Sequence, residues 1–150
     1  MTTAFDSARR AELVGRFNRL TAQTTPRWGR FTAVQMAAHL TEALRMAIGE
    51  LAVAPKGPKV LATPLVRWLV LHVFPFPKGA PTAPELIRRG ASDVVRVEEE
   101  QAAFAQLLDR FAAKRGTAWP RHPAFGQLTE RDWGVLVYKH TDHHLRQFGL

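Results

Sequence analysis

Residues 139–149 read KHTDHHLRQFG, and this stretch determines how the rest of the chain is interpreted. Three of the six histidines fall within five consecutive residues of it. His140 and His144 are four residues apart, a spacing that places two side chains on one face of a helix, one turn apart. Two neutral imidazoles buried side by side each need polar partners, unless one cation satisfies both. The pair therefore predicts two ligands of a single metal ion.

The helix that carries this pair is predicted over residues 129–148. Thr129 and Asp132 have the spacing of a capping box at its start. At about 100° per residue, one face of this helix collects aromatic and aliphatic residues together with both histidines: Trp133, Val137, His140, His144 and Phe148. The two histidines therefore lie in the middle of the face that must be buried, whereas His143 lies at its edge.

The sequence pattern in the rest of the chain predicts further helices and almost no strands. Asp6, Thr32 with Gln35, and Ser92 have the residue types of helix N-caps. Apolar residues recur at helical spacing after each of them, which predicts helices over 7–22, 32–51 and 92–115, with a short helix at 60–73. We therefore expect one all-α domain over residues 1–150. Its architecture is an up-and-down four-helix bundle with an additional short helix and a long proline-rich crossover.

His140 and His144 leave a third metal ligand to be identified. His39 lies on the edge of the apolar face of the helix at 32–51, and it is the natural candidate if the two helices face each other. His143 and His122 are the rivals for this position. His143 points too far to the side to share an ion with the pair, so it suits the wall of the cavity better.

Three residues are candidates for chemistry beside such an ion. Glu42 follows His39 by three residues and could orient a ligand or act as a base, although a solvated surface carboxylate is the simpler interpretation. His143 is a candidate for the cavity wall. Gln147 lies near the inner face, where it could hold a water molecule or part of a substrate. The catalytic candidates are therefore Glu42, His143 and Gln147.

The composition limits the chemistry of the site. The 150 residues include no cysteine, which excludes disulfides, thiolate zinc sites and cysteine nucleophiles. A metal site must therefore use imidazole, carboxylate and water, which suits zinc, nickel, iron or manganese. Nucleophile triads, glycine-rich phosphate loops and dinucleotide fingerprints are also missing from the sequence.

The formal net charge of +8 raises the question of a nucleic-acid partner. The distribution of the charge argues against one, because basic residues are spread along the whole chain and only three adjacent pairs occur. Aromatic and basic residues do not alternate as they do in single-strand-binding proteins. A solvated basic surface is therefore the preferred interpretation, and we expect no nucleic-acid partner.

The region 54–84 contains an apolar segment within a proline-rich crossover. Residues 60–76 are interrupted by prolines and by charged or polar side chains, so the segment is too short and too broken to span a membrane. Residues 1–6 lack the pattern of a signal peptide, and we expect a cytoplasmic protein without a membrane partner. The segment could form a dimer surface or touch a membrane surface, but the preferred interpretation is a lid over one end of the bundle.

Several motifs of the sequence together resemble those of a known family. QMAAHL at 35–40 precedes HPAFGQLT at 122–129, and HHLRQFG follows at 143–149. FPFPKGAPT at 74–82 belongs to the same pattern. With these motifs the chain resembles the DinB/YfiT-like superfamily of four-helix bundles, and within it the branch known as domain of unknown function 1569. The resemblance covers most of the chain from Trp28 onward.

The resemblance implies a divalent metal held by three histidines, which map onto His39, His140 and His144, with water in the open positions. The metal in such proteins is often zinc or nickel, and dimers are common among them. Members of known activity use the metal to activate a low-molecular-weight thiol for transfer or isomerisation. The long proline-rich crossover is a departure from those members, which places the identity of the substrate outside the resemblance.

Two hypotheses follow for the function. The first is a metal-dependent transferase of the thiol S-transferase type, or a hydrolase, with a small-molecule substrate and a three-histidine site. The alternative is a non-catalytic module, metal-binding or stress-related, in which the ion mainly stabilises the helices.

Overall fold

The structure is a computed structural model that describes residues 2–87, 89–91 and 95–150. Its described residues form five α-helices and one pair of two-residue strands. The helices are α1 (Ser7–Phe17), α2 (Ala33–Ile48), α3 (Pro64–His72), α4 (Val97–Ala113) and α5 (Glu130–Gln147). The strands are β1 (Arg121–His122) and β2 (Gly126–Gln127), and short 3-10 turns lie at Lys59–Ala62, Pro84–Leu86 and Arg89–Ala91. The predicted all-α class is therefore confirmed over these residues.

The helices begin where local capping chemistry allows it. The Asp6 carboxylate accepts hydrogen bonds from two backbone N–H groups in the first turn of α1. Thr32 with Gln35 forms both bonds of a capping box at the start of α2, and Thr129 with Asp132 does the same for α5. These three predicted helix starts are confirmed.

Two predicted helix boundaries are wrong. Helix α1 ends at Phe17 rather than near residue 22, because the next residues tighten into a turn in which Thr21 bonds to the Thr24 hydroxyl. Helix α4 begins at Val97 rather than at residue 92, since Arg96 is still extended. Ser92, the predicted N-cap, lies outside the described residues.

The four longer helices pack around one core. Helix α2 contacts both α4 and α5, and α1 contacts the same two helices from the other side. Phe17 of α1 meets Phe104 of α4 edge to face, with ring centroids 4.7 Å apart. At one end Phe5 stacks on Phe111 at 4.9 Å. Buried aromatic side chains of this size each contribute about 1.5–3 kcal/mol of transfer free energy, so these contacts fix the positions of α1 and α4.

A buried ionic network holds the end of the crossover against α2. Arg89 donates from Nε to Glu42 Oε1 at 2.8 Å, and its Nη2 contacts the Glu100 carboxylate on α4. The Thr41 hydroxyl also donates to Glu100, and Arg45 pairs with Glu42. Charges buried in this way require such pairing. The interpretation of Glu42 as a solvated carboxylate is therefore wrong, because its residue is only 7% exposed.

Helix α3 buries Leu71 in the core and makes polar contacts with β2 and α5. Arg67 donates to the carbonyl of Gln127 at 2.8 Å, and His72 Nε2 lies 2.9 Å from Asp132. The Lys139 ammonium donates to the carbonyls of Val70 and Leu71, at 2.6 and 3.2 Å, at the end of α3. A cation at a helix C-terminus satisfies carbonyls that have no partner within the helix.

The interpretation of residues 60–76 as a lid of packed apolar side chains is only partly met. Phe76 reaches His143 with ring centroids 6.1 Å apart. Leu65, Trp68 and Phe74, in contrast, remain more than half exposed. The apolar segment therefore leaves a large part of its hydrophobic surface uncovered in this chain.

Among the described residues, none of the helices has the length and apolar character needed to cross a bilayer.

Candidate metal centre

Helices α2 and α5 bring three histidines together. His39 projects from the buried face of α2 toward His140 and His144 on the facing side of α5. The three ring centroids are 4.7–5.0 Å apart. One nitrogen from each ring lies within 4.8 Å of the others, and the Nε2 atoms of His39 and His140 are 3.1 Å apart. The sequence prediction of these three residues as one group agrees with this geometry.

Hydrogen bonds determine which nitrogen two of these rings present. His39 Nδ1 lies 3.3 Å from the carbonyl oxygen of Leu86, which can only accept, so Nδ1 carries the proton. Gln147 donates from its Nε2 to the carbonyl of Trp28, which directs its Oε1 toward His144 Nδ1 at 2.9 Å. His144 therefore also donates from Nδ1. Both rings keep a lone pair on Nε2, as a metal ligand requires.

One distance in the group matches a transition-metal site. Zinc–imidazole bonds of about 2.0–2.1 Å at tetrahedral angles place neighbouring ligand nitrogens about 3.3 Å apart. The 3.1 Å between His39 Nε2 and His140 Nε2 is close to this value, and the whole group spans up to 4.8 Å. Without an ion, two nitrogens at 3.1 Å must share one proton in a hydrogen bond. Three imidazoles are a donor set that several divalent transition metals accept.

Burial keeps the three imidazoles neutral. Desolvation lowers the pKa of His39 to about 4 and is also the largest cause that lowers the pKa of His144 to about 3. The pKa of His140 falls well below its usual value, first through burial and then through the neighbouring histidines. Phe31 adds to this environment, because its ring lies 5.3 Å from His39 and 5.9 Å from His144. Neutral rings at pH 7 have lone pairs available for a cation.

The catalytic candidates lie at three different places. Glu42 is held by Arg45 and Arg89 and does not belong to the histidine group. Gln147 is 5% exposed, and both ends of its amide are engaged, so it positions His144 rather than facing a substrate.

His143 lies at the rim of the centre. Its ring is 5.3 Å from that of His144 and 6.1 Å from that of Trp28. Partial burial, followed by the charge of Lys78, lowers the pKa of His143. The Lys78 ammonium is placed over the Trp28 ring at 4.4 Å from its centroid. The rim is therefore aromatic and cationic, and it contains one half-buried imidazole.

His122, a rival for the third ligand, lies on another side of His140. Its Nδ1 accepts hydrogen bonds from the backbone N–H groups of Ala124 and Phe125, both at 3.1 Å. Desolvation lowers the pKa of His122 to about 4. His122 and His140 both line a cavity of about 80 Å³ between α2 and α5. The other walls are mainly apolar and include Leu40, Leu44, Leu86, Trp133, Leu136 and Val137.

Three features of this centre are not among the residues predicted from the sequence. The Leu86 carbonyl, which orients His39, is a backbone group and carries no signature in the sequence. The cavity depends on how α2 and α5 are spaced, which residue identities alone do not determine. Phe31 directly precedes the Thr32 cap of α2, and this aromatic residue beside a predicted helix start is the one local signal among the three.

Comparison with known proteins gives one result. The model of a family described as "Protein of unknown function (DUF1569)" matches residues 5–149. No curated protein and no solved structure matches the chain.

Proposed function

We propose that this chain, which belongs to the DUF1569 family, is a metal-dependent enzyme with a three-histidine centre formed by His39, His140 and His144. The family carries no known function, so the proposal depends on the geometry of the chain itself. The convergence of three ring nitrogens within 4.8 Å is the observation that carries it. We also propose that the all-α fold is a DinB/YfiT-like four-helix bundle. The protein is proposed to be cytoplasmic.

The hydrogen bonds around two of the rings support metal binding. His39 and His144 each use Nδ1 on a fixed acceptor, the Leu86 carbonyl and the Gln147 amide oxygen. Nε2 of each ring therefore keeps the lone pair that a metal ligand needs. Partners of this kind orient the ligand and increase its basicity in metalloproteins.

A divalent ion held by these rings would supply Lewis acidity that lowers the pKa of a bound thiol or water. Three neutral ligands leave its positive charge uncompensated, which suits an anionic nucleophile. The proposed reaction is therefore transfer of a low-molecular-weight thiol, with hydrolysis as the related alternative. We propose zinc or nickel as the ion.

The chain's own residues have separable roles in this proposal. Gln147 holds the ring of His144 in place through its Nδ1 proton. His143 remains neutral near pH 7 because burial lowers its pKa, so an imidazole nitrogen there can accept the proton that the nucleophile loses. The cavity beside His140 offers room for a small apolar part of a substrate.

A non-catalytic role is the second candidate, and the burial of His39 favours it. His39 is only 2% exposed, and Phe31 covers both His39 and His144. An ion enclosed in this way would stabilise the pairing of α2 with α5, as structural metal sites do. This role predicts stabilisation by metal without turnover.

Elemental analysis of purified protein tests the metal centre. We expect close to one equivalent of a divalent metal in the wild type and a large loss in His144→Ala. His143→Ala is the matched control, since it removes a neighbouring imidazole from the same helix that is outside the group. Negligible metal in the wild type, or equal metal in wild type and His144→Ala, contradicts the proposal.

Turnover then separates the two roles. The metal-loaded protein is screened against small thiols with carbon electrophiles, and against hydrolysable esters and amides. Product formation that disappears in both His144→Ala and the chelated wild type supports the enzyme. A metal-dependent increase in melting temperature with no product from any substrate supports the structural role instead.

A further inference from the structure

The exposed apolar surface of the chain is concentrated in the crossover. Among the described residues, every large hydrophobic side chain that is exposed lies between Val60 and Ile87. Leu65 is 67% exposed, and Trp68 is 53% exposed. These two are three residues apart on α3 and share one helical face. Val60 before the helix and Phe74 after it extend the exposed apolar surface at both ends.

The inward side of α3 explains why this surface is exposed. Arg67 and His72 are directed at the protein, where they contact backbone carbonyls and Asp132. The Lys139 ammonium donates to the Val70 carbonyl at the C-terminal end of the helix. Rolling α3 over to bury Leu65 and Trp68 would remove these polar contacts and separate His72 from Asp132. The outward apolar face is therefore the docked state of the helix, not a failure to pack.

The charge around this surface has one sign. Residues 51–84 contain no aspartate or glutamate and include Lys56, Lys59, Arg67 and Lys78. In the described part of the chain, Lys56 contacts a backbone oxygen, Arg67 contacts two, and Lys78 covers an aromatic ring. Lys56, Arg67 and Lys78 therefore contact groups other than carboxylates, and Glu85, just beyond this range, accepts a hydrogen bond from the Ala54 N–H at 3.4 Å. A surface that combines exposed tryptophan and leucine with basic side chains fits the interface of an anionic bilayer.

We propose that the outward face of α3, with its flanking lysines, binds peripherally to membranes rich in anionic lipid headgroups. Leu65 and Trp68 enter the headgroup region, and Lys56 and Lys59 contact the anionic headgroups. A second copy of the chain fits this surface less well, because the net charge of +8 on each copy would oppose the association. The sequence-based expectation of no membrane partner is revised by this proposal. It does not depend on the metal centre.

Vesicle co-sedimentation of the full chain tests the surface. Vesicles of phosphatidylcholine alone are compared with equimolar phosphatidylcholine and phosphatidylserine. We expect binding only to the anionic vesicles, with a decrease as sodium chloride is added, since surface charges are screened beyond about 8 Å at physiological salt. The double variant Leu65→Ser, Trp68→Ser should bind at least tenfold less. No binding to anionic vesicles, or equal binding to both kinds, overturns the proposal.

Charge variants separate a local surface from an effect of net charge. Lys59→Glu and Arg19→Glu change the net charge equally, but Arg19 lies after α1, outside the crossover. Lys59→Glu should weaken binding at least fivefold, roughly the contribution of one lysine near an anionic surface, while Arg19→Glu should change it less than twofold. Equal losses in the two variants contradict a local surface.

Size-exclusion chromatography with light scattering tests the rival partner. We expect a monomer both in the wild type and in the double variant. A wild-type dimer that the double variant converts to a monomer identifies the surface as a contact between two copies, and overturns the lipid proposal. The double variant and the two charge variants all change exposed side chains. Circular dichroism checks that the helices of each variant are intact.

Discussion

The α2–α5 pair and helix α3 use their polar and apolar side chains in opposite ways. Between α2 and α5, the imidazoles are buried, and the apolar cavity wall lies beside them. On α3, Arg67 and His72 face the protein, whereas Leu65 and Trp68 face outward. Both arrangements reverse the usual rule that apolar groups are buried and polar groups exposed. A reversed pattern that is held by specific hydrogen bonds marks a place where the chain is built to meet something else.

Acid should lower the free energy of unfolding, and the histidines of the α2–α5 region should account for the largest part of this loss. In the metal-free protein, burial lowers the pKa of His39 and His122 to about 4 and of His144 to about 3, and the pKa of His140 is also lowered. The unfolded chain takes up these protons near pH 6.5, so it binds more protons than the folded chain below that pH. The free energy of unfolding is therefore highest above about pH 6.5. It decreases as the pH falls toward the pKa values of the folded protein, by up to about 1.4 kcal/mol per pH unit for each histidine.

Urea unfolding in the presence of a chelator, at pH 7 and pH 5, measures this loss. The total stability of a domain is about 5–15 kcal/mol, so a loss of several kcal/mol between these two pH values is a large share of it. His144→Asn should flatten the dependence by the share of one histidine. A free energy of unfolding that is equal at the two pH values contradicts the buried, neutral state of these rings.

Truncating one aromatic side chain in each region should sharpen the contrast. Phe104 is completely buried against Phe17, so Phe104→Ala should cost about 3–5 kcal/mol. Trp68 is half exposed, and Trp68→Ala should change stability by about 0.5 kcal/mol or less. Urea unfolding at pH 7 compares the two variants. Similar losses in both would mean that Trp68 contributes to the core and that the outward face of α3 is not a free surface.

A smaller effect than that of Phe104→Ala is expected where the support of a single ligand is removed. Gln147→Leu removes the acceptor for His144 Nδ1 and should weaken metal affinity about 10- to 100-fold. Competition with a chromogenic chelator measures the affinity. Gln127→Leu is the matched control, because Gln127 is exposed on β2, outside the histidine group. Unchanged affinity in Gln147→Leu would assign Gln147 to packing alone.

Local chemistry made part of this structure predictable. The caps at Thr32 and Thr129 depend on residues three positions apart, so their geometry follows from the sequence. The grouping of His140 with His144 follows from helical periodicity, and His39 was placed by the apolar face of α2. In each case the interaction that decides the outcome lies within one helix or one helix face.

Long-range contacts set the limit of prediction. Glu42 was interpreted as a surface carboxylate because its partner Arg89 is 47 residues away. The Leu86 carbonyl that orients His39 is equally distant in sequence. The outward apolar face of α3 was expected to be covered, because hydrophobic pattern alone favours burial. Polar contacts on the inward side of α3 keep this face outward. Their partners on α5, Asp132 and Lys139, lie 60 or more residues further along the chain.

The attachment of α3 to α5 has a consequence for the time course of synthesis. His72 bonds to Asp132, 60 residues later in the chain. At elongation rates of about 5–20 residues per second, roughly 3–12 s pass between the synthesis of these two residues. During that interval α3 has neither Asp132 nor Lys139 to hold it. The nascent chain therefore carries this helix, with Leu65 and Trp68, before α5 is there to receive it.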